Sequence, residues 1–158
     1  MVDFTVERLS EARHGEGVAG MLAQQWLHTG DREIESNPNW ALYQQLESRG
    51  GLVLAMARQD GKPVGFALAT VYPHPNAVQA LVASIPTYFV EEGPIRALIL
   101  SRMLDFLLDK LAARGVFRID AETNAEHSAG RLWELKGFKL AKMGYSLKLK
   151  PATGAKHA

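Results

Sequence analysis

The chain has 158 residues, 47% of them apolar, enough for one domain that buries roughly two-thirds of its unfolded surface. Eighteen Lys and Arg against 17 Asp and Glu leave a net charge of +1, so no overall field draws the molecule to nucleic acid or a membrane surface. The absence of cysteine excludes disulfides, thiolate metal ligands and a cysteine nucleophile.

The opening "MVDFTVERLS" alternates Phe4 and Val6 with charged residues, which predicts a half-buried strand at about 3–9 instead of a signal peptide. Val18, Met21, Leu22, Gln25 and Trp26 then recur at helical spacing up to Gly30, a helix-closing residue. Asn37-Pro38 opens a second helix, which places Trp40, Tyr43 and Leu46 on one face before a glycine stop. Runs of Val, Leu and Ala at about 52–58 and 63–72 flank "QDGK", so an antiparallel hairpin is expected. "VYPHPNAV" (71–78) reads as a Pro-rich loop. "VQALVASIPTYFV" reads as a fourth strand, in which Pro86 cannot donate to a ladder and implies a bulge or an unpaired edge. The longest helix starts at Pro94, carries Leu100, Met103, Leu104, Leu107, Leu108 and Leu111 on its apolar face, and stops at Gly115. "VFRIDAET" is a strand, "HSAGRLWELKG" a short helix, and "FKLAKMGYSLKLK" one or two final strands. The expected order is β-α-α-β-β-β-α-β-α-β(-β), with residues 1–150 as one domain and 151–158 as a loose tail. No apolar run approaches the roughly 20 residues that span a bilayer, so a cytoplasmic protein is expected.

This order resembles the GNAT superfamily of acyl-CoA-dependent N-acetyltransferases over most of the chain. The best-matching parts are "GKPVGFALA" (61–69), the long helix running into "GVFRIDAET" (115–123), and "AGRLWELKGF" (129–138). The resemblance implies an α+β fold of about four helices on a mixed, mostly antiparallel sheet, splayed at the proline-containing fourth strand. Pro38, Trp40, Tyr43, Leu46, Glu47 and the Asp60-Gly61 turn further resemble the branch of the superfamily found in tailed-phage genomes. That branch implies a bacterial or phage-infected cytoplasm, or a virion-associated protein.

In this family the pyrophosphate of acetyl-CoA rests on backbone N–H groups at the start of the long helix, where unpaired donors and the helix dipole favour an anion. Family members carry an Arg or Gln and then a Gly-x-Gly-like run there. Here those positions fall on Ile95, Arg96, Ala97, Leu98, Ile99 and Leu100, and no glycine occurs between Gly93 and Gly115. The N–H donors survive such substitution, and Arg96 can add a charge-assisted contact. Glu91 and Glu92 just before the helix complement its dipole themselves. The resemblance also assigns Phe89, Val90, Asn124 and Trp133 to the cofactor.

Acyl transfer to an amine needs a route for the amine proton and a donor to the leaving thiolate. Trp133 stands where many family members carry a tyrosine acid, and an indole N–H is no proton donor near neutral pH. Tyr145 or a solvent proton are the replacements. For the base, Glu92 and Tyr88 are the candidates beside an ordered water, against a plain reading of Glu92 as a solvated carboxylate at a helix start. Asp120 and Glu122 alternate on one strand as a carboxylate pair or as partners of a neighbouring lysine. The five histidines lack metal-ligand spacing, so no metal is expected. His74 is a substrate contact or an ordinary loop residue. Lys148 and Lys150 guard an edge strand.

Two functions follow. One is acetyl transfer from acetyl-CoA to an amine of a small molecule or a protein. The other is a catalytically degenerate GNAT-fold module, structural or protein-binding, whose cleft is filled by Leu98, Leu100 and Trp133. A homodimer is compatible with either.

Overall fold

The computed structural model describes residues 1–15, 17–30, 33–124 and 129–149. In chain order the elements are β1 (Val2–Glu7), α1 (Leu9–Ala12), α2 (Val18–Thr29), α3 (Trp40–Ser48), β2 (Leu52–Gln59), β3 (Lys62–His74), β4 (Ala77–Val90), α4 (Arg96–Ala113), β5 (Val116–Ala121) and α5 (Gly130–Leu135). The strands form one sheet in sequence order, antiparallel from β1 to β4 and parallel between β4 and β5. Among the described residues five helices form where about four were expected. The addition is the single turn α1, whose first N–H groups, of Leu9 and Ser10, are accepted by the Glu47 carboxylate of α3 at 2.5 and 3.3 Å.

The β2–β3 hairpin turns at Asp60 and Gly61, with φ of 51° and 83°, the pair of positive angles a type I′ turn requires. Glycine tolerates that angle freely and aspartate does so better than most residues. Strand alternation then divides the core between two faces. Ala55, Ala57, Ala67, Ala69 and Ala83 face α4, and their small size leaves room for Met103, Leu104, Leu107 and Leu111. Leu54, Met56, Phe66, Leu68 and Phe89 face the opposite way, against Leu9, Val18 and Met21 of α1 and α2. On α4 the buried stripe includes Ile99, while Leu100 and Leu108, expected within it, are half-buried at its margin.

Three expectations need correction. Helix α3 is capped by Asn39, whose Oδ1 accepts the Leu42 N–H at 3.1 Å, so it begins just after the expected Asn37-Pro38 start. The stretch 71–78 is mostly ladder, because β3 runs to His74 and β4 resumes at Ala77, leaving Pro75-Asn76 as the turn. The final strands do not form, since residues 138–149 join no sheet and 139–149 are exposed throughout. Alternation suits a segment to a half-buried ladder, but a strand also needs an edge to bond, and none among the described residues takes it. Lys150 and the tail 151–158 lie outside the described residues. No helix among the described residues is long and apolar enough to cross a membrane.

Candidate functional site

Strand β4 carries two ladders along its first half and one along its second. Residues 81–84 pair with both β3 and β5, but pairing with β5 stops at Ile85 and Ala121, whereas pairing with β3 resumes from Thr87 to Val90. Pro86 stands at the division. It has no N–H to donate, and around it three steps on β4, from Ser84 to Thr87, match two on β3, from Thr70 to Leu68. The bulge and the splay expected from Pro86 therefore both form. Beyond it, β4 and β5 part to leave a notch.

Tyr88 and Trp133 stand together on the α4 side of this notch. The half-buried Tyr88 ring meets the α5 indole edge to face at 5.5 Å, and the indole meets Phe138 in the same way at 5.0 Å. Trp133 is only 5% exposed, and its N–H is buried without a hydrogen bond of ordinary geometry. It nevertheless lies near the Tyr88 phenol. Burial pushes the Tyr88 pKa up, and this neighbouring N–H draws it partly back. Phe89 and Val90 bury their side chains on opposite faces of the sheet, so what they offer the notch is backbone.

At the start of α4 the Arg96 N–H is accepted by Gly93 at 3.2 Å, and the Ile99 N–H by Ile95 at 3.0 Å. The N–H groups of Ala97 and Leu98 have no protein acceptor among the described residues, and Ile95 provides no side-chain cap. Ala97 is exposed and Leu98 is 50% exposed, so neither side chain is packed over the helix end. An anion can therefore reach two free donors where the helix dipole favours it, and a pyrophosphate fits despite the missing glycines. Leu100 is half-buried and Trp133 belongs to the core.

Other sequence candidates fall elsewhere. Glu92 is at the surface, 83% exposed, its carboxylate held by the Arg96 guanidinium. Glu91 is exposed too, and its N–H donates to Val64 at 2.9 Å. Asp120 is engaged by Arg118 at 3.3 Å and Lys142 at 3.6 Å. Asn124 is exposed beyond β5, and residues 125–128, between it and α5, lie outside the described residues. Tyr145 stands in the exposed stretch after α5. His74 lies at the far hairpin, roughly 30 Å along β4 from Pro86, with its Nδ1 accepting the Asn76 N–H at 3.1 Å.

On the other side of the sheet, Pro86 and Thr87 border a cavity of about 380 Å³ formed with α2, α3 and the segment between them. The Trp26 indole N–H donates to the Ile34 carbonyl at 2.9 Å and ties this segment down. Gly30 permits the arrangement, because a Cβ there would run into the indole. Tyr43 and Glu35 line the same cavity, and the Thr87 hydroxyl at its border is buried without a partner. Sequence reading had Trp26 and Tyr43 only as helix-face residues, and a Trp four places before a glycine stop was the available signal.

No family model and no curated protein sequence matches the chain. Solved structures do match it in fold. An aminoglycoside acetyltransferase from an uncultured soil metagenomic sample superimposes with a TM-score of 0.74 at 16% identity, over 95% of this chain and 99% of its own. The ribosomal-protein-alanine N-acetyltransferase of Brucella melitensis biovar Abortus gives 0.68 at 20% identity, over 94% and 99%. A predicted acetyltransferase of Clostridium acetobutylicum, solved with acetyl-CoA, gives 0.68 at 15% identity, over 94% and 96%. The chain thus has a GNAT-like fold. The first two names carry different acceptors, so the fold does not choose one.

Proposed function

We propose that this chain is an acetyl-CoA-dependent N-acetyltransferase that modifies an amine of a small molecule or protein. The observation that carries the reading is the parting of β4 and β5 at Pro86, with unpaired helix donors on one side and a cavity on the other. Bound acetyl-CoA would supply an activated acetyl group. The N–H groups of Ala97 and Leu98 hold its pyrophosphate, and the β4 backbone at 86–90 offers unpaired groups to its arm. The buried Trp133 N–H lacks an acceptor, a deficit worth about 1–3 kcal/mol that a carbonyl placed in the notch relieves.

Tyr88 is the proton donor to the departing thiolate in this reading, in place of the tyrosine that α5 lacks. Its raised pKa keeps the phenol protonated through the neutral range. Glu92 is committed to Arg96, so the amine proton leaves through water. Glu35 attracts a protonated amine into the cavity, and Trp26 and Tyr43 give its body an aromatic wall. The protein acts in the cytoplasm of a bacterium or a phage-infected cell, within the tailed-phage branch, on residues 1–150 as one domain.

Calorimetric titration with acetyl-CoA and with free CoA tests the reading. Micromolar binding of both supports it. A folded protein silent up to millimolar ligand overturns it in favour of a non-catalytic GNAT-fold module. That second reading draws on the exposed Leu98 and the Glu92–Arg96 pair at the helix start.

A further inference from the structure

Two neighbours on the open half of β4 turn to opposite faces of the sheet. Tyr88 stands on the α4 side with Trp133, whereas Thr87 is paired across from Leu68, which packs against α1 and α2. The Thr87 side chain therefore belongs to the cavity side. Its hydroxyl is buried there without a partner, in a residue only 9% exposed, and a buried hydroxyl left unbonded is costly until a ligand bonds it.

The cavity spends other polar groups on its own walls. The Trp26 indole N–H is used by the Ile34 carbonyl, and the Gln25 amide donates to the Thr29 hydroxyl at 2.6 Å. What Trp26 has left to offer is its ring, beside the Tyr43 ring and the apolar surface of Leu22 and Pro38. Glu35 is the one charged residue on the lining, and no lysine or arginine among the described residues pairs with it. The lining thus asks for a cation and an aromatic ring. Its volume of about 380 Å³ lies near the low end of ligand cavities, which run from about 300 to 1,000 Å³, and leaves room for one ring on a short chain. A lysine side chain has no ring to lay on Trp26 and Tyr43, and a polyamine carries more cations than the lining has anions.

We propose that the acceptor is a small primary amine on a short chain that ends in one aromatic ring. The ring lies against Trp26 and Tyr43, Glu35 draws the ammonium in, and the neutral amine donates an N–H to the Thr87 hydroxyl after its ammonium proton has passed to water. Thr87 thereby sets the nucleophile at the opening beside Pro86. The nitrogen bonds the acetyl carbon as the thioester C–S bond breaks, Tyr88 gives its proton to the sulfur, and water returns the proton shed by the nitrogen to Tyr88. This assignment rests on the acetyl-transfer reading and names its substrate class.

Calorimetric titration with phenethylamine, with and without free CoA, reads the cavity directly. Binding tighter than that of spermidine or of a lysine-containing peptide is expected. Thr87→Val should weaken it about tenfold, while the melting temperature of the free protein holds or rises, because valine removes an unpartnered buried hydroxyl at nearly equal shape. A threonine with only a structural role would lower that temperature and leave the affinity alone. Glu35→Gln should erase the preference for phenethylamine over phenethyl alcohol. Acetyl-CoA binding is measured separately, so the two readings fail apart. A protein that binds acetyl-CoA but prefers spermidine or the peptide, ignores millimolar phenethylamine, or binds it equally well as Thr87→Val overturns this substrate class and leaves acetyl transfer standing. A folded protein that binds no acetyl-CoA overturns both.

Discussion

The two halves of β4 use the same backbone for opposite purposes. From Leu81 to Ser84 the strand is bonded on both sides and pressed against α4, and it contributes to stability. From Pro86 to Val90 it is bonded on one side only, and its other side faces the notch where Tyr88, Trp133 and the α4 donors gather. A central strand that kept its ladder throughout would have no backbone to offer a ligand. Proline makes the difference by deleting a single donor.

Substitutions can break this contrast. The largest effect is expected on the closed half's support. Leu107→Ala, at a fully buried position, should cost about 2–5 kcal/mol in denaturant unfolding and leave CoA affinity of the folded protein unchanged. In the open half, Tyr88→Phe should lower kcat about a hundredfold, with little change in melting temperature. It should also remove an alkaline limb of the rate profile that lies above the ordinary tyrosine value of 10, because burial raises this phenol. Ala97→Pro deletes one N–H in the first helical turn, where proline is tolerated, and should weaken CoA binding about tenfold by calorimetry. Equal losses of stability from Ala97→Pro and Leu107→Ala would erase the distinction between the two halves.

The smallest effect belongs far from the notch. Glu7 accepts two hydrogen bonds from Arg58, at 2.7 and 2.8 Å, and that contact holds its pKa below the ordinary 4.5. A depressed carboxylate stabilises the fold above its unfolded pKa and loses that contribution as pH falls through the folded value. Glu7→Gln should therefore cost about 1 kcal/mol at pH 7 and nothing measurable in strong acid, without touching CoA binding.

Several of these features were legible in the sequence because their causes are local. Asp60-Gly61 fixed a hairpin through its own backbone angles, Pro86 announced the break through its missing donor, and the spacing from Met103 to Leu111 gave the stripe α4 buries. The final strands were misread because the alternation after Phe138 states what a segment is suited for and says nothing of where a free edge lies. Glu92 read as a base by type and position, but its engagement by Arg96 depends on how the chain turns at Gly93-Pro94. The cavity was hidden because Trp26, Ile34, Tyr43 and Thr87 come from four separate segments.

By itself, then, the sequence determined the elements from β1 to α5 apart from the single turn α1, their order and the position where the sheet opens, since these follow from periodicity and from residues that constrain their own backbone. Tertiary structure alone decided that Tyr88 meets Trp133, and that the last apolar run joins no strand edge among the described residues. Each of these depends on the distance between segments far apart in sequence, and only the folded chain fixes that distance.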